Sequence, residues 1–372
     1  ALGWTILQLS NSTFALGLLG FVQTAPVLVL GVFAGTLADR ADRRTVLLIT
    51  QSFAAALATL LAVLQTAGRT NVGVLLAIAL GNGIINALNG PSWQAFIKEM
   101  VGPDQLRQAV AINSARFNLT RIGGPAGGGW LLVQAGPAAC FTANAISFVG
   151  VLAAITLIRT HAVRTPIVGV GGIAGTLAVA REPKIRSVLL PAIGLTVLAL
   201  PYGSFLPAMA RDVFSAGPSG LSLLLTATGI GAFMGAFISG SPVVARQPGR
   251  ALAVLQILAG IALAAFAESP GLETGMISIA FFGAALIAYL STANATIQLA
   301  AAPGTEGRAL GLWMIVNSGL VPIGSLLIGG LSDVLSVRFA LACAGAGCGA
   351  AGIGAFVVNR RALALRRISR KS

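Results

Sequence analysis

Residues 31–44 read Gly-Val-Phe-Ala-Gly-Thr-Leu-Ala-Asp-Arg-Ala-Asp-Arg-Arg, and this stretch decides the fold. It begins inside an apolar run at residues 15–38, it has five charged residues in its last six positions, and a second apolar run follows at residues 45–65. Charge this dense between two membrane-length apolar segments indicates a hydrophilic turn at a membrane surface. Because arginines accumulate in cytoplasmic loops, we place the turn on the cytoplasmic side.

The composition of the whole chain agrees with a membrane protein. Of its 372 residues, 56% are hydrophobic and 9% are charged, and the mean hydropathy is +0.89. A soluble domain has about a quarter of its residues charged, so this chain has too little charge to cover a water-facing surface. Its apolar runs are also longer than the alternating strands of a membrane barrel, which have about ten residues. We therefore predict an all-α polytopic membrane protein, because helices satisfy their own backbone groups in lipid.

The apolar runs divide the chain into two groups of six spans. Residues 1–10 give only half of a span, since a helix needs roughly 20 residues to cross a bilayer, and we expect the first part of that helix upstream of Ala1. The sequence predicts an N-terminal helix bundle at 1–158, a cytoplasmic linker at 159–186, a C-terminal helix bundle at 187–358 and a basic cytoplasmic tail at 359–372. The complete spans are predicted at residues 15–38, 45–66, 72–98, 106–134, 137–158, 187–209, 217–241, 250–267, 273–300, 307–332 and 338–358.

The positions of the basic residues test this topology. With the 39–44 turn in the cytoplasm, nineteen of the 24 Lys and Arg residues fall on the cytoplasmic side. Only Arg69, Arg211 and Arg338 fall on the outer side, and this asymmetry is typical of an inserted membrane protein. The net charge of +14 is therefore a signal of topology, and it does not indicate a nucleic-acid partner.

Residues that hold metals or catalyse reactions are scarce in the predicted spans. The cysteines Cys140, Cys343 and Cys348 lie in apolar segments, where a free cysteine usually packs as a small apolar side chain. The lone histidine, His161, lies in the linker, and the ten acids lie at predicted helix ends or in loops. We expect no metal, no cofactor and no enzyme activity. A membrane-embedded enzyme or a non-transporting sensor is kept as the alternative from another functional class.

A weak internal repeat relates the two halves. Residues 89–129 and 294–330 share a layout, in which an asparagine and a glutamine, a charged turn, and a helix containing glycine and proline follow in the same order. Two similar halves in parallel orientation predict a transporter whose substrate site lies between them near the membrane midplane.

Two motifs resemble those of a known family. Residues 35–44 resemble the loop between helices 2 and 3 of the major facilitator superfamily, with Asp42 where that pattern usually has glycine. The run Gly124-Pro125-Ala126-Gly127-Gly128-Gly129 resembles the helix 5 signature of exporter-type members. Residues 96–101 and 106–107, taken with Gly124-Pro125, are most similar to the branch that contains the enterobactin exporter and similar bacterial efflux proteins.

The resemblance implies two six-helix bundles in the bacterial cytoplasmic membrane, with the C-terminus in the cytoplasm. It implies export of a small amphiphilic molecule, siderophore-like or drug-like, by alternating access with inward proton flow. A transporter of the same fold that takes up its solute is the alternative. The expected partners are the lipid bilayer, the small-molecule substrate and protons, and the protein is expected to be a monomer.

Two arginines lie inside the predicted fifth span. Arg121 falls near mid-membrane, where a charge costs roughly 2.5–3.5 kcal/mol on insertion scales, and no acid is expected at its depth. Three interpretations stay open: Arg121 binds an anionic substrate, it pairs with an acid upstream of Ala1, or it hydrogen-bonds helix carbonyls. Arg116 lies nearer the cytoplasmic surface and can extend its side chain to that surface.

Polar side chains recur along one face of the fourth span, at residues 82, 86 and 89, and of the tenth span, at residues 291, 294 and 298. The resemblance implies that these two helices line a central cavity, and Tyr202 could add a stacking surface. The predicted substrate-binding residues are Arg121, Asn86, Asn89, Asn113, Phe117, Asn294, Gln298 and Tyr202. Hydrogen bonding between helices, and packing for the tyrosine, are the alternative interpretations.

The charged turn and the glycine–proline pair are interpreted as gating elements. An acid at a helix end can accept hydrogen bonds from a neighbouring helix N-terminus, and nearby arginines can pair with Glu99 or Asp104, which would favour one access state. Pro125 removes a backbone donor and bends its helix, and its neighbouring glycines give a flat face for close packing. The predicted gating residues are Asp39, Arg40, Arg43, Arg44, Glu99, Gly124 and Pro125. A topology anchor and a merely tight helix contact are the alternatives.

Overall fold

A computed structural model of the chain describes residues 1–40, 42–101, 105–158, 179–302 and 305–369. Within these ranges the secondary structure is helical and contains no strand. Ten helical segments in the same ranges are long and apolar enough to cross a bilayer. The prediction of an all-α polytopic membrane protein is therefore confirmed.

The described residues of the first half form five helices. These are α1 (Leu2–Ser10), α2 (Thr13–Arg40), α3 (Arg43–Thr66), α4 (Val72–Met100) and α5 (Leu106–Leu157). The predicted hydrophilic turn lies between the end of α2 and the start of α3. Asp42 caps α3 by accepting a hydrogen bond from the backbone N–H of Thr45, and this bond satisfies a donor that the first turn of a helix leaves open.

Helix α5 contains two predicted spans, 106–134 and 137–158, joined without a loop. The break is at Gly136, whose φ of 75° and ψ of −177° are not helical and favour glycine. The thiol of Cys140 lies 3.5 Å from the carbonyl oxygen of Gly128, whereas twelve residues of straight helix would span about 18 Å. The chain therefore doubles back at Gly136, and the two predicted spans are the arms of a tight hairpin.

The second half forms more, and shorter, helices than predicted. They are α6 (Pro183–Leu198), α7 (Tyr202–Ala208), a π-helical turn (Met209–Val213), α8 (Gly217–Ser239), α9 (Pro242–Arg246), α10 (Pro248–Ala267), α11 (Leu272–Ala300), α12 (Glu306–Met314), a second π-helical turn (Ile315–Gly319), α13 (Val321–Val334) and α14 (Val337–Ser369). The predicted spans 187–209 and 307–332 are thus interrupted helices.

Two helices in this half begin or end outside the predicted spans, while the domain bounds themselves stay predictions. Helix α6 begins at Pro183, within the segment that we assigned to the linker, because proline is well tolerated in the first helical turn. Helix α14 continues to Ser369, through most of the segment predicted as a basic tail. The remainder of the predicted linker that precedes Val179 lies outside the described residues.

The bundle has two ends, which we name after one residue each. The Asp42 end holds the start of α3 and the end of α5, because Arg44 contacts the carbonyl oxygens of Ile155 and Thr156. The Asp333 end holds the connection between α1 and α2 and the end of α13, because Asp333 contacts Thr13.

The two halves pack together through α2 on α13 and through α5 on α8. A Cβ atom added at Gly17 of α2 would lie 2.9 Å from the Cα atom of Gly329 in α13. A Cβ atom added at Gly129 of α5 would overlap the side chain of Ser222 in α8. Glycine therefore permits both contacts by letting the helices approach closely, as small residues do in membrane proteins.

Candidate functional site

The first contact between the halves is made by Asp333, at the end of α13. Its Oδ1 atom lies 3.0 Å from the hydroxyl of Ser12, 3.1 Å from the backbone nitrogen of Thr13 and 3.4 Å from that of Phe14. All three donors belong to the start of α2. A carboxylate from the second half therefore caps a helix of the first half and faces the positive end of its dipole.

The second contact is made by Arg211, in the π-helical turn after α7. Its Nη1 atom donates to the carbonyl oxygen of Leu7 and to Oδ1 of Asn11, both at 2.9 Å. Leu7 lies in the last turn of α1, and Asn11 ends that helix in the left-handed conformation. The guanidinium also pairs with the neighbouring Asp212, with a distance of 2.6 Å between Nε and Oδ1. This arginine thus faces the negative end of α1.

Contacts between the halves continue toward the middle of the bundle. A Cβ atom at Gly20 would lie 2.7 Å from the hydroxyls of Ser204 and Ser325. A Cβ atom at Gly319 would lie 2.8 Å from the Leu28 side chain. From Phe14 to Leu28 the helix rises about 21 Å, so α2 meets the second half from the Asp333 end to beyond mid-length.

The predicted polar face of α4 divides between two surroundings. Asn86 is exposed, whereas Asn89 is half-buried and its Oδ1 atom lies 3.4 Å from the hydroxyl of Thr50 in α3. Asn82 donates to the carbonyl oxygen of Ile78 one turn earlier. Of these three asparagines, Asn86 is therefore the exposed one, and Asn89 contacts a neighbouring helix.

The predicted polar face of α11 is held by a contact within the helix. The Nε2 atom of Gln298 donates to Oδ1 of Asn294 at 2.9 Å, and Gln298 is exposed. Tyr202 lies at the start of α7, and its ring meets that of Phe282 edge to face with 4.6 Å between centroids. The tyrosine therefore packs on α11, and it is half-buried.

Arg116 and Asn113 form a small cluster with Trp93. The Arg116 Nη2 atom donates to Oδ1 of Asn113 at 3.1 Å, and its guanidinium lies 5.8 Å from the Trp93 ring centroid. Arg116 precedes Pro125 by nine residues, which is two and a half helical turns. Pro125 lies on the face of α5 that contacts the second half. Arg116 therefore lies on the opposite face, which points away from the second half.

Several predicted site residues cannot be placed by their side chains. The side chains of Arg121 and Phe117, and those of Asp39, Arg40 and Glu99, lie outside the described residues. Position 121 itself is helical and lies about one turn before Pro125 in α5. The roles of these residues stay predictions.

In the predicted charged turn, the described contacts of Asp42 and Arg44 lie within the first half. Arg44 donates from Nε to the carbonyl oxygen of Ile155 at 3.2 Å and from Nη2 to that of Thr156. The hydroxyl and the backbone N–H of Thr45 both donate to Asp42. The hydroxyl bond is the main reason why the pKa of Asp42 is lowered below its ordinary value. Arg43 is half-buried.

The glycine–proline pair lies at the interface between the halves. The hydroxyl of Ser222 in α8 donates to the carbonyl oxygen of Pro125 at 3.0 Å. Gly124 and Pro125 also line a cavity of about 190 Å³, together with Leu132, Cys140 and Leu225. Among the described residues, no group of histidines, cysteines and acids could hold a metal ion.

A family model described as "transmembrane secretion effector" matches residues 1–369 of the chain. The chain belongs to this family of the major facilitator superfamily. The prediction from the two motifs is thereby confirmed.

Curated relatives of the chain are transporters. The staphyloferrin A transporter of Staphylococcus aureus (strain NCTC 8325 / PS 47) is 27% identical over 90% of this chain and 85% of its own length. The multidrug efflux pump Tap of Mycolicibacterium fortuitum is 26% identical over 91% and 85%. The enterobactin exporter EntS of Salmonella choleraesuis (strain SC-B67) is 27% identical over 89% and 80%. This family member is therefore a transporter and not an enzyme.

Solved structures support the same fold. The nucleoside transporter NupG superposes with a TM-score of 0.72 at 13% identity, covering 95% of this chain and 92% of its own. A bacterial homolog of the lysosomal transporter Spinster, in an inward-facing and unoccupied conformation, superposes with a TM-score of 0.70 at 16% identity, covering 96% and 94%. Their likeness confirms the major facilitator fold.

The sequence did not indicate that Asp333 and Arg211 join the two halves. Both were assigned only to helix ends and to a side of the membrane. One available signal was the pair Ser12-Thr13, which is typical of a helix start. A pattern within one segment cannot show that the capping acid comes from a residue more than 300 positions away.

Proposed function

We propose that the protein exports a small amphiphilic molecule from the cytoplasm by alternating access. The observation that supports this most directly is the closure of the halves at one end. Helices α2 and α13 touch from Asp333 inward, while exposed polar side chains lie on α4 and α11 at Asn86 and Gln298. A site between two halves that close on one side is what the rocking of two repeats requires.

The distribution of basic residues indicates which side of the membrane each end of the bundle faces. In the predicted topology the Asp42 end is cytoplasmic, since most of the Lys and Arg residues lie on that side. The closed Asp333 end then faces outward. This is the conformation in which an exporter would load its substrate from the cytoplasm.

The substrate class is proposed from the relatives and from charge. Two relatives named above are a siderophore transporter and a siderophore exporter, and one is a multidrug efflux pump. We propose a siderophore-like or drug-like substrate, with an acidic group that pairs with Arg121. Coupling to inward proton flow, a monomeric state and the bacterial inner membrane belong to the same proposal.

Transport into inverted membrane vesicles tests the proposal. With an outward proton gradient imposed, vesicles containing the protein should accumulate radiolabelled enterobactin, and a protonophore should abolish the accumulation. Vesicles without the protein are the control. Accumulation by right-side-out vesicles alone would favour solute uptake. Accumulation that is unchanged by the protonophore would reject proton coupling.

The variant Arg121→Ala tests the substrate site in the same assay. We expect export to be abolished while the amount of folded protein in the membrane stays at the parent level. Arg69→Ala is the control, because Arg69 is an exposed arginine between α3 and α4 and is not among the predicted substrate-binding residues. Unchanged export by Arg121→Ala would reject the role of Arg121.

A further inference from the structure

The connection between α1 and α2 is held from two sides by charged residues of the second half. We propose that Asp333 and Arg211 form a two-part clamp that keeps the Asp333 end closed and that must open once in every transport cycle. This inference rests on the proposed alternating access. It adds a gate at the end of the bundle opposite to the predicted one.

The acid half of the clamp acts on the start of α2. The first turn of a helix leaves backbone N–H groups unpaired, and Asp333 accepts from two of them, at Thr13 and Phe14. The hydroxyl of Ser12 adds a third donor at 3.0 Å. A negative charge at this position also interacts favourably with the helix dipole. Separating α13 from α2 would remove all of these interactions together.

The basic half of the clamp acts on the end of α1. The carbonyl groups of the last helical turn form its negative end, and Arg211 donates to one of them, that of Leu7, which also accepts from the backbone N–H of Asn11 at 3.0 Å. The same Nη1 atom reaches the side chain of Asn11, which ends the helix. Asp212 holds the other edge of the guanidinium at Nε and Nη2. The arginine is therefore oriented within its own half before it binds the first half.

The two contacts are complementary in charge. Helices α1 and α2 meet in a short connection, so a negative helix end and a positive helix end lie side by side. The second half of the protein places Arg211 at the negative end of α1 and Asp333 at the positive end of α2. A rocking motion that opens this end must break both contacts at once.

The clamp is suited to repeated opening because it is accessible to water. The side chains of Arg211 and Asp212 are 27% and 38% exposed, and Asp333 is exposed as well. Water can therefore replace the lost hydrogen bonds when the halves separate, and exposed charged contacts have modest net strength. Breaking the clamp shifts the balance between two conformations without leaving a buried charge.

Other described charges at the same end provide matched controls. Arg338, at the start of α14, donates from Nη2 to the carbonyl oxygen of Ser269 at 3.0 Å. Both of these residues belong to the second half. Glu273 is exposed in the first turn of α11, also in the second half. Neutralising Arg338 or Glu273 therefore alters charge at this end without touching a contact between the halves.

Spin-label distances at the Asp333 end test the clamp. Labels are placed on cysteines substituted for Arg69 in the first half and Glu268 in the second, in purified full-length protein whose native cysteines are replaced by alanine. The parent should give mainly a short-distance population, with a small long-distance fraction as the reference. Asp333→Asn and Arg211→Gln should each raise the long-distance fraction at least threefold, and the double variant at least tenfold. Arg338→Gln and Glu273→Gln should match the parent.

Every outcome of this measurement decides the proposal. Distances that stay at the parent value in both clamp variants would overturn it, and so would equal shifts in the controls. If a neutral variant does not fold, Arg211→Lys is used, which keeps the charge but loses the forked geometry, and it should double the long-distance fraction. The measurement needs no substrate, so unchanged distances would reject the clamp and leave the proposed export standing.

Discussion

The two ends of the bundle use the same chemistry for different purposes. At the Asp42 end, Arg44 binds the last carbonyl oxygens of α5, and both partners belong to the first half. At the Asp333 end, Arg211 binds the last turn of α1 and Asp333 binds the first turn of α2, and each contact joins two halves. At the Asp42 end, a charge on a helix terminus thus stabilises the first half itself. At the Asp333 end, such charges stabilise the conformation in which the two halves are closed.

This difference teaches which contacts should matter for turnover and which for stability. A contact within one half moves with that half and survives when the halves rock. A contact between the halves exists in one conformation only, so its loss changes the population of that conformation. Variants at the two ends should therefore separate in their effects.

The largest effect is expected where backbones touch between the halves. In Gly17→Leu the side chain would meet the Ser325 carbonyl and the Gly329 backbone, so the Asp333 end could not close. We expect transport in vesicles to fall at least tenfold. Gly330→Leu is the control, since no atom lies within 4 Å of a Cβ atom there. Equal losses in both variants would show that leucine harms helix packing in this region in general and does not act through closure.

A smaller effect, and of another kind, is expected at Arg44. Arg44→Gln removes hydrogen bonds to two carbonyl oxygens, and a hydrogen bond to a charged group contributes about 1.5–3 kcal/mol. Because Arg44 is half-buried, we expect a loss near the lower limit and a lower melting temperature in detergent. The Arg69–Glu268 label distance should not change. A longer distance would show that Arg44 also controls the closed conformation, and it would contradict the proposed difference between the two ends.

The helix cap at Asp42 should have a weaker influence on stability. Asp42→Ala removes the bonds to Thr45, and the loss of such a cap costs about 1 kcal/mol. The pKa of Asp42 is lowered from its ordinary value of 3.8, so the carboxylate stabilises the protein above that pH. Its contribution is lost as the pH falls through the lowered pKa. The difference between the melting curves of parent and variant should shrink as the pH falls below the ordinary pKa of 3.8, and a constant difference would contradict this account.

The smallest effect on stability is expected at the asparagines of α4. Asn89 contacts Thr50 in α3, and a hydrogen bond between membrane helices is worth about 0.6 kcal/mol. Asn89→Ala should therefore lower the melting temperature slightly and leave transport near the parent level. Asn86→Ala should leave the melting temperature near the parent value and should lower transport, because Asn86 is exposed and is a predicted substrate contact. A transport defect confined to Asn89→Ala would assign the substrate contact to the buried residue.

The helical architecture could be predicted because lipid imposes simple rules on a chain. The apolar runs and the charged turn before α3 were enough to place α2, α3 and α4 within a few residues. The interruptions at Tyr202 and Ile315 were missed, because an apolar segment keeps its composition when the helix inside it breaks. The two arms of the hairpin at Gly136 were predicted as separate spans, at residues 106–134 and 137–158.

The contacts between distant segments could not be predicted in the same way. The polar face of α4 was visible from its spacing, but only packing shows that Asn89 faces α3 while Asn86 stays exposed. Arg211 and Asp333 looked like ordinary residues of helix ends. Their partners lie 204 and 320 positions away in the sequence, and no local pattern encodes that separation.

Label distances measured at both ends of one protein test the central claim most directly. One pair, at Arg69 and Glu268, reports the Asp333 end, and a second pair, at Gln105 and Gln247, reports the Asp42 end. As enterobactin and a proton gradient drive turnover in vesicles, the first distance should lengthen in the same fraction of molecules in which the second shortens. Two distances that lengthen together, or that both stay constant during measured transport, would contradict a rocking motion of the two halves.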